Sequence, residues 1–297
     1  MPFSTDVIHY DSDQLTIGTF YCPPWHPHFN DTGPIGGWLI VFPYASVIIT
    51  QDGFQPFVAD PNVTVLYNRH QAYRRDKLSE KGDLSHWFSF HPDLVVAAIE
   101  QFDPTVWERP RHPFPVTHTL SHPALFLQQH LFTHILTQST QPDTLLIEET
   151  AITILKQLVS KLYQQTGGEK GRDRHNSQHR DLIHAVRAYL AIQFENNLTL
   201  DEIAQAFYIS PYHLCRLFKK QTGVTIHHYL NQLRLRTSLD FVAQPDMDLT
   251  TLGIRLGYAS HSHFTYTFRK TFQTTPSQFR AQATPDRYHQ MSKILIV

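Results

Sequence analysis

Cysteine is scarce in this chain of 297 residues: Cys22 and Cys215 are its two. Two thiols cannot make a disulfide framework, and they fit a reducing compartment. Long hydrophobic runs are also missing. The longest, residues 38–50, is broken by Pro43 and falls short of the roughly 20 residues that cross a bilayer. The N-terminal stretch shows neither the basic flank nor the apolar stretch of a secretory signal. A secreted or membrane protein is therefore not expected, and a cytoplasmic one is. No nucleophile arrangement, phosphate loop or dinucleotide fingerprint is present, so no enzyme class and no cofactor is indicated. What the chain does have is 41% hydrophobic and 12% aromatic residues, enough to bury real cores. Its length suits about two domains.

The formal net charge of −1 hides an asymmetry. Residues 172–297 hold 15 Lys/Arg against 9 Asp/Glu, while residues 1–171 hold 10 against 17. A basic half joined to an acidic half implies different partners for the two. The basic half is the candidate for a polyanion.

Residues 1 to about 118 read as β-rich. Short apolar runs at 15–21, 38–42, 46–50, 63–67 and 86–90 are separated by turn residues such as Pro23-Pro24, Asp52-Gly53 and Gly82-Asp83. That spacing predicts a sandwich or barrel. The runs at 38–42 and 46–50 flank a short turn containing Pro43 and read as paired strands. From His122 the period becomes helical. One helix of about four turns carries Leu125, Leu131 and Ile135, and a second over 143–163 carries Ile147, Ile154, Leu158 and Leu162. Residues 164–178 are polar and Gly-rich and read as a flexible linker.

Beyond the linker the pattern is wholly helical and internally repeated. Thr199-Leu-Asp-Glu202 is a capping box opening a short helix. Ser210-Pro211 then opens a second helix, which Gly223 ends. Leu200, Ile203, Ala204 and Phe207 recur 49 residues later as Leu249, Leu252, Gly253 and Leu256. Leu214, Phe218, Lys219 and Lys220 recur 50 residues later as Phe264, Phe268, Arg269 and Lys270. Two short-helix, turn, capped-helix units of this kind follow a helix-turn-helix plan. A plain helical bundle would not need the duplication.

In such a unit the first helix is buried and the second presents its polar face to the major groove of DNA. The candidate base-contacting residues are Tyr212, Cys215 and Arg216 in the first unit, and Ser262, His263, Thr265 and Tyr266 in the second. Arg216 has the geometry for a bidentate contact to guanine. The candidates for phosphate are the capped helix starts at Ser210 and Ser260, with Lys219, Lys220, Arg269 and Lys270 farther along. Arg234, Arg236, Arg255 and Arg280 are expected to add to the same positive field.

The stretch DEIAQAFYISPYHLCRLFKKQTG, followed by TLGIRLGYASHSHFTYTFRKTFQTTPSQFR, resembles the DNA-binding domain of the AraC/XylS family of transcription regulators. The resemblance implies seven helices over 179–283, two recognition helices joined by a long one, and both helices reading one face of the duplex. It places base reading on Tyr212, Cys215, Arg216, Ser262, Thr265 and Tyr266. The chain departs from the family at Tyr208, where a glycine is usual and the turn is therefore expected to be atypical, and at Cys215, a poor base reader that reads rather as a small, partly buried packing residue.

The N-terminal half resembles the family's sensing and dimerisation domain, in particular through Phe57-Val-Ala-Asp-Pro61, Tyr67-Asn-Arg69 and Gln71-Ala-Tyr73-Arg-Arg75. The resemblance implies a cupin-like β-barrel with two trailing helices over 1–165, a linker over 166–178 and a tail over 284–297. It also implies an effector-responsive activator, with double-stranded DNA, RNA polymerase, an unidentified small-molecule effector and a second copy of the chain as partners. The aromatic residues Trp38, Phe42, Tyr67, Trp87, Phe88 and Phe90 permit an effector pocket. The rival reading is a metal-dependent cupin enzyme. His26 and His28 are its candidate ligands, but the His-x-His, Glu, His spacing of that chemistry is not found.

Overall fold

The computed structural model describes residues 5–109, 111–138, 143–166 and 177–282. The linker predicted at 166–178 and the tail at 284–297 fall almost wholly outside them. The chain divides into two compact units, one running up to residue 168 and taking in residues from 278 on, the other spanning 169–277.

The first unit is built from two antiparallel sheets. Ten strands are described: β1 (Thr5–Asp11), β2 (Leu15–Cys22), β3 (Asp31–Pro34), β4 (Trp38–Pro43), β5 (Val47–Gln51), β6 (Phe57–Ala59), β7 (Val63–Tyr67), β8 (Ala72–Lys77), β9 (Asp83–Phe90) and β10 (His118–Leu120). The six-stranded sheet has the order β1-β2-β9-β4-β7-β10, and the four-stranded sheet the order β3-β8-β5-β6. The strands read as a pair from the sequence, β4 and β5, are therefore not partners. β4 pairs with β7 and β9, and β5 with β6 and β8. The turn at Pro43 carries the chain from one sheet to the other instead of folding it back as a hairpin.

Period-2 alternation explains how the larger sheet is covered. On β4 and β9, Phe42 and Phe88 meet edge to face at 5.8 Å, and Phe88 stacks at 6.1 Å on Phe132 of helix α2 (Pro123–Gln138). Their alternates, Leu39, Val41, Ser85 and Trp87, line a cavity with residues of the smaller sheet. α3 (Thr144–Thr166) packs on α2 and on α1 (Pro92–Glu100). α1 interrupts the stretch read as β-rich. His91 caps it, its Nδ1 accepting from the Asp93 N–H at 3.4 Å, and a 3-10 turn, Pro104–Glu108, follows.

The second unit is helical: α4 (Ser177–Gln193), α5 (Leu200–Ala206), α6 (Pro211–Thr222), α7 (Ile226–Ala243), α8 (Leu249–Arg255) and α9 (His261–Phe272), with α10 (Pro276–Gln282) starting at its end. The helix starts follow the sequence signals closely, because local side-chain chemistry sets them. Thr199 and Glu202 form the capping box, Glu202 N–H to Thr199 Oγ1 at 3.2 Å and Thr199 N–H to Glu202 Oε2 at 2.7 Å. Donation from the Thr199 backbone and hydroxyl holds the Glu202 carboxyl below its usual range. A cap of this kind is worth about 1 kcal/mol.

Candidate nucleic-acid interface

The two repeats match element by element in length, spacing and capping. α5 and α8 each have seven residues and start 49 apart; α6 and α9 each have 12 and start 50 apart. Both second helices are capped by serine, Ser210 Oγ accepting from His213 N–H at 3.3 Å and Ser260 Oγ from His263 N–H at 3.1 Å. Both end on a left-handed residue, Gly223 and Gln273. The turns match too: Ile209 N–H reaches Ala204 O at 3.1 Å, and Tyr258 N–H reaches Gly253 O at 3.0 Å. In α8 the glycine has a steric reason, since a Cβ on Gly253 would lie 3.1 Å from the Phe264 Cβ.

The left-handed position in the second turn is Gly257 at φ 80°, and in the first turn it is Tyr208 at φ 55°. The atypical turn expected at Tyr208 thus keeps the glycine-like backbone without the glycine. A tyrosine there carries strain of about 1–2 kcal/mol. Its side chain is 98% exposed.

In α6, Leu214, Leu217 and Phe218 face the core, which leaves Tyr212, Cys215, Arg216, Lys219 and Lys220 on the exposed face. Cys215 is exposed, so its packing reading is overturned: position 215 falls on the polar side of the stripe set by Leu214 and Phe218. In α9, Phe264, Phe268 and Phe272 are buried and Ser262, His263, Tyr266, Arg269 and Lys270 are exposed. Thr265 is half-buried, its Oγ1 lying 3.3 Å from His261 Nε2. His263 leans edge-on against Tyr258 at 5.4 Å. Among the described residues, Arg216, Lys219, Lys220, Arg269 and Lys270 make no side-chain hydrogen bond or ion pair. Four of these charges sit in the last turns of α6 and α9, where they also favour the helix dipole.

Two cations assigned to the surface field from sequence belong to the core. Arg234 and Arg236 on α7 are 7% and 2% exposed. Arg234 donates from Nε to Phe194 O at 2.7 Å, from Nη2 to Asn196 O at 2.7 Å and from Nη1 to Gly257 O at 3.0 Å. It ties the end of α4 to the turn of the second repeat. Gly257 is required there, since a Cβ would stand 2.6 Å from Arg234 Nη2. The helical period of α7 could have revealed this, because Arg234 shares a face with Leu230.

Comparison with known proteins follows this geometry. A family model described as a helix-turn-helix domain matches residues 178–282. The regulatory protein PocR of Salmonella typhimurium is 28% identical over 113 residues, 38% of this chain and 36% of PocR. The chain therefore spans little more than a third of that relative's length. The protein named "Probable transcription factor PqrA" of Proteus vulgaris is 31% identical over 115 residues, covering 38% of this chain and 94% of PqrA. The chain belongs to the AraC/XylS family of transcription regulators. A solved structure titled as a transcriptional regulator with an AraC-type DNA-binding domain, from Chromobacterium violaceum, is 29% identical. It covers 36% of this chain and 96% of that one, with a TM-score of 0.33. The AraC/XylS match lies on the duplicated unit, and the N-terminal unit must be read from its own residues.

That unit encloses a cavity of about 720 Å³ between its two sheets, within the range of small-molecule sites. Of the aromatic residues proposed for a pocket, Tyr67 and Trp87 line it, while Trp38, Phe42, Phe88 and Phe90 pack elsewhere. Trp87 lies over Gly18, where a Cβ would come within 2.5 Å of its ring, and donates from Nε1 to Asp6 Oδ1 at 2.6 Å. Sequence reading missed the polar centre of this wall. Arg75 Nη1 donates to Asp83 Oδ2 at 2.7 Å and Nε to Phe29 O at 3.0 Å. Burial raises the Asp83 carboxyl above its usual range against the pull of Arg75.

The candidate metal ligands fare differently. His28 lines the cavity, and its backbone N–H donates to His26 Nδ1 at 3.2 Å. Among the described residues no group of three or more His, Cys, Asp or Glu is placed to hold a metal ion. No helix among them is long and apolar enough to cross a membrane.

Proposed function

We propose that the chain is a sequence-specific DNA-binding transcription regulator and an effector-responsive activator, working as a homodimer in the cytoplasm with RNA polymerase as a partner. The observation that carries this reading is the duplicated helix-turn-helix unit, whose two second helices each present an exposed polar face with uncommitted cations. Tyr212, Cys215 and Arg216 on α6, and Ser262, His263 and Tyr266 on α9, take the base edges. Thr265, tied to His261, contributes less. The α6 and α9 starts at Ser210 and Ser260 receive phosphates on their free N–H groups. Lys219, Lys220, Arg269 and Lys270 add charge contacts that set affinity and salt dependence.

In the N-terminal domain, residues 1–165, the two sheets form a cupin-like barrel whose cavity receives a small-molecule effector. The linker at 166–178 joins it to the DNA-binding domain at 179–283. Both the cavity and the exposed helix faces support a sensor joined to a reader. Selection of random duplex DNA by the full chain tests the reading. Enrichment of one sequence motif, bound at least 10³-fold more tightly than random DNA as specific sites are, is the expected result. Binding that stays weak and salt-sensitive with no enrichment, in the presence and absence of cell extract metabolites, would refute it.

A further inference from the structure

The cavity of the N-terminal unit, read above as an effector site, carries enough chemistry to name the class of its ligand. Its walls are mainly apolar: Leu39, Val41, Val47, Ile49 and Val65, with aromatic faces from Phe20 and Trp87. Polar side chains interrupt them, and the charged pair Arg75 and Asp83 is buried among them. Arg75 is 1% exposed and Asp83 7%, and both line the cavity. Arg75 spends Nε on Phe29 O and Nη1 on Asp83 Oδ2. Its Nη2, and the second carboxylate oxygen of Asp83, carry no hydrogen bond among the described residues. Rings hold the guanidinium in place, Phe20 at 4.8 Å, Phe29 at 5.1 Å and Tyr73 at 5.9 Å. The pair is thus pre-positioned, with one donor nitrogen and one acceptor oxygen left over.

We infer that the cavity takes an uncharged ligand with an apolar body and one head group that both donates and accepts a hydrogen bond, an amide or a hydroxyl, seated on Arg75 and Asp83. The charge argument is simple. The buried pair is already balanced, so a carboxylate brought to Arg75 would be buried beside Asp83, and an ammonium brought to Asp83 would be buried beside Arg75. A ligand without a polar head would strip water from Nη2 and the carboxylate oxygen and replace nothing. A head group that accepts from Nη2 and donates to Asp83 satisfies both at once. The other titratable groups on the wall are Asp6, His28, Cys22, Tyr67 and Tyr73; burial holds the Cys22 thiol and the Tyr67 phenol above their usual ranges and so neutral. Asp6 is solvent-exposed and hydrogen-bonded to Trp87, so its charge is screened.

The inference rests on the effector reading of the cavity, and calorimetry on the full chain separates the two. Three probes share one body and differ in the head: 2-naphthaleneacetamide, 2-naphthaleneacetate and 2-(2-naphthyl)ethylamine. The acetamide is expected to bind at least tenfold more tightly than either charged probe. Asp83→Asn, which leaves Arg75 without its counter-charge, is expected to invert the order and make the acetate the tightest. Val41→Trp, which fills the cavity, is expected to abolish binding of all three. The ranking on the unaltered protein stands even where a variant does not fold. An acid or amine that binds the unaltered protein as well as the amide does overturns the head-group assignment and leaves the cavity as a site. Heat from none of the three overturns both.

Discussion

Replacing Arg234 by methionine removes a guanidinium that looks, in sequence, like one more DNA-facing cation. The structure gives it a different task, and the magnitude can be worked out. Arg234 makes three hydrogen bonds to main-chain carbonyls, at 2.7, 2.7 and 3.0 Å. Hydrogen bonds from a charged donor contribute about 1.5–3 kcal/mol each. Asn196 is exposed and Gly257 half-buried, so water replaces much of what their carbonyls lose. Phe194 is buried, so water does not readily replace the charged donor that its carbonyl loses. Relief of the guanidinium's own burial, which lowers its pKa, offsets part of the loss. The net destabilisation of the second unit is about 2–4 kcal/mol, in line with the loss of a buried hydrogen-bond network.

Urea unfolding followed by far-UV circular dichroism, with hydrogen exchange resolved on peptides over 190–200 and 250–260, measures this. All four tryptophans, Trp25, Trp38, Trp87 and Trp107, lie in the first unit, so their fluorescence transition serves as an internal control and should not move. A loss below about 1 kcal/mol, together with a salt slope of DNA binding lowered by about one, would show that Arg234 serves DNA and would refute the structural assignment.

Three further outcomes are expected. Lys219→Ala should weaken binding to all duplexes alike and lower the salt slope by about one unit; a loss confined to the selected motif would contradict its phosphate role. Tyr208→Gly should raise the unfolding free energy by about 0.5–1 kcal/mol, because relief of the left-handed tyrosine exceeds glycine's added chain entropy; a fall in stability would mean that the Tyr208 ring supports the fold. Burial holds the imidazoles of His86 and His130 down at about 3. Below about pH 6.5 the unfolded chain takes protons that the folded one refuses, so their contribution is complete above that pH and is lost as the pH falls toward 3. At pH 5 this amounts to about 2 kcal/mol per group, with Asp83, raised by burial, acting in the opposite sense. Tryptophan-monitored melts at pH 7 and pH 5 should show the loss, and His130→Gln should remove about half of the difference.

What was legible from sequence tracks how local the determining chemistry is. The C-terminal helices start where Thr199, Ser210, Thr225 and Ser260 cap them, and each cap acts within three residues. The repeat offset of 49 to 50 residues was readable for the same reason. The strands were harder. β8 is the sequence Ala-Tyr-Arg-Arg-Asp-Lys, which is not among the apolar runs read as strands because four of its six residues are charged. Its Arg75 is buried because Asp83, eight residues on and in the other sheet, pairs with it. β10 pairs with β7 across more than 50 residues of chain, and nothing local marks three residues as a strand. The β4–β5 pairing failed because sheet partners are chosen by long-range packing, to which a turn at Pro43 is indifferent. The exposed faces of α6 and α9 followed from helical period, but the burial of Arg234 and Arg236 did not follow from charge, since a cation buries wherever enough carbonyls converge on it.

We propose that α6 and α9 each read bases on one face of the duplex. It is tested most directly by measuring how Arg216→Ala and Tyr266→Ala change the affinity of the full chain across every single-base variant of its selected duplex. Each substitution is expected to flatten discrimination at its own one or two base pairs, by about 1–3 kcal/mol for Arg216. The two affected patches should lie about one helical turn apart. Losses that are uniform over all positions, or that fall on the same base pairs for both variants, would contradict a two-helix reader.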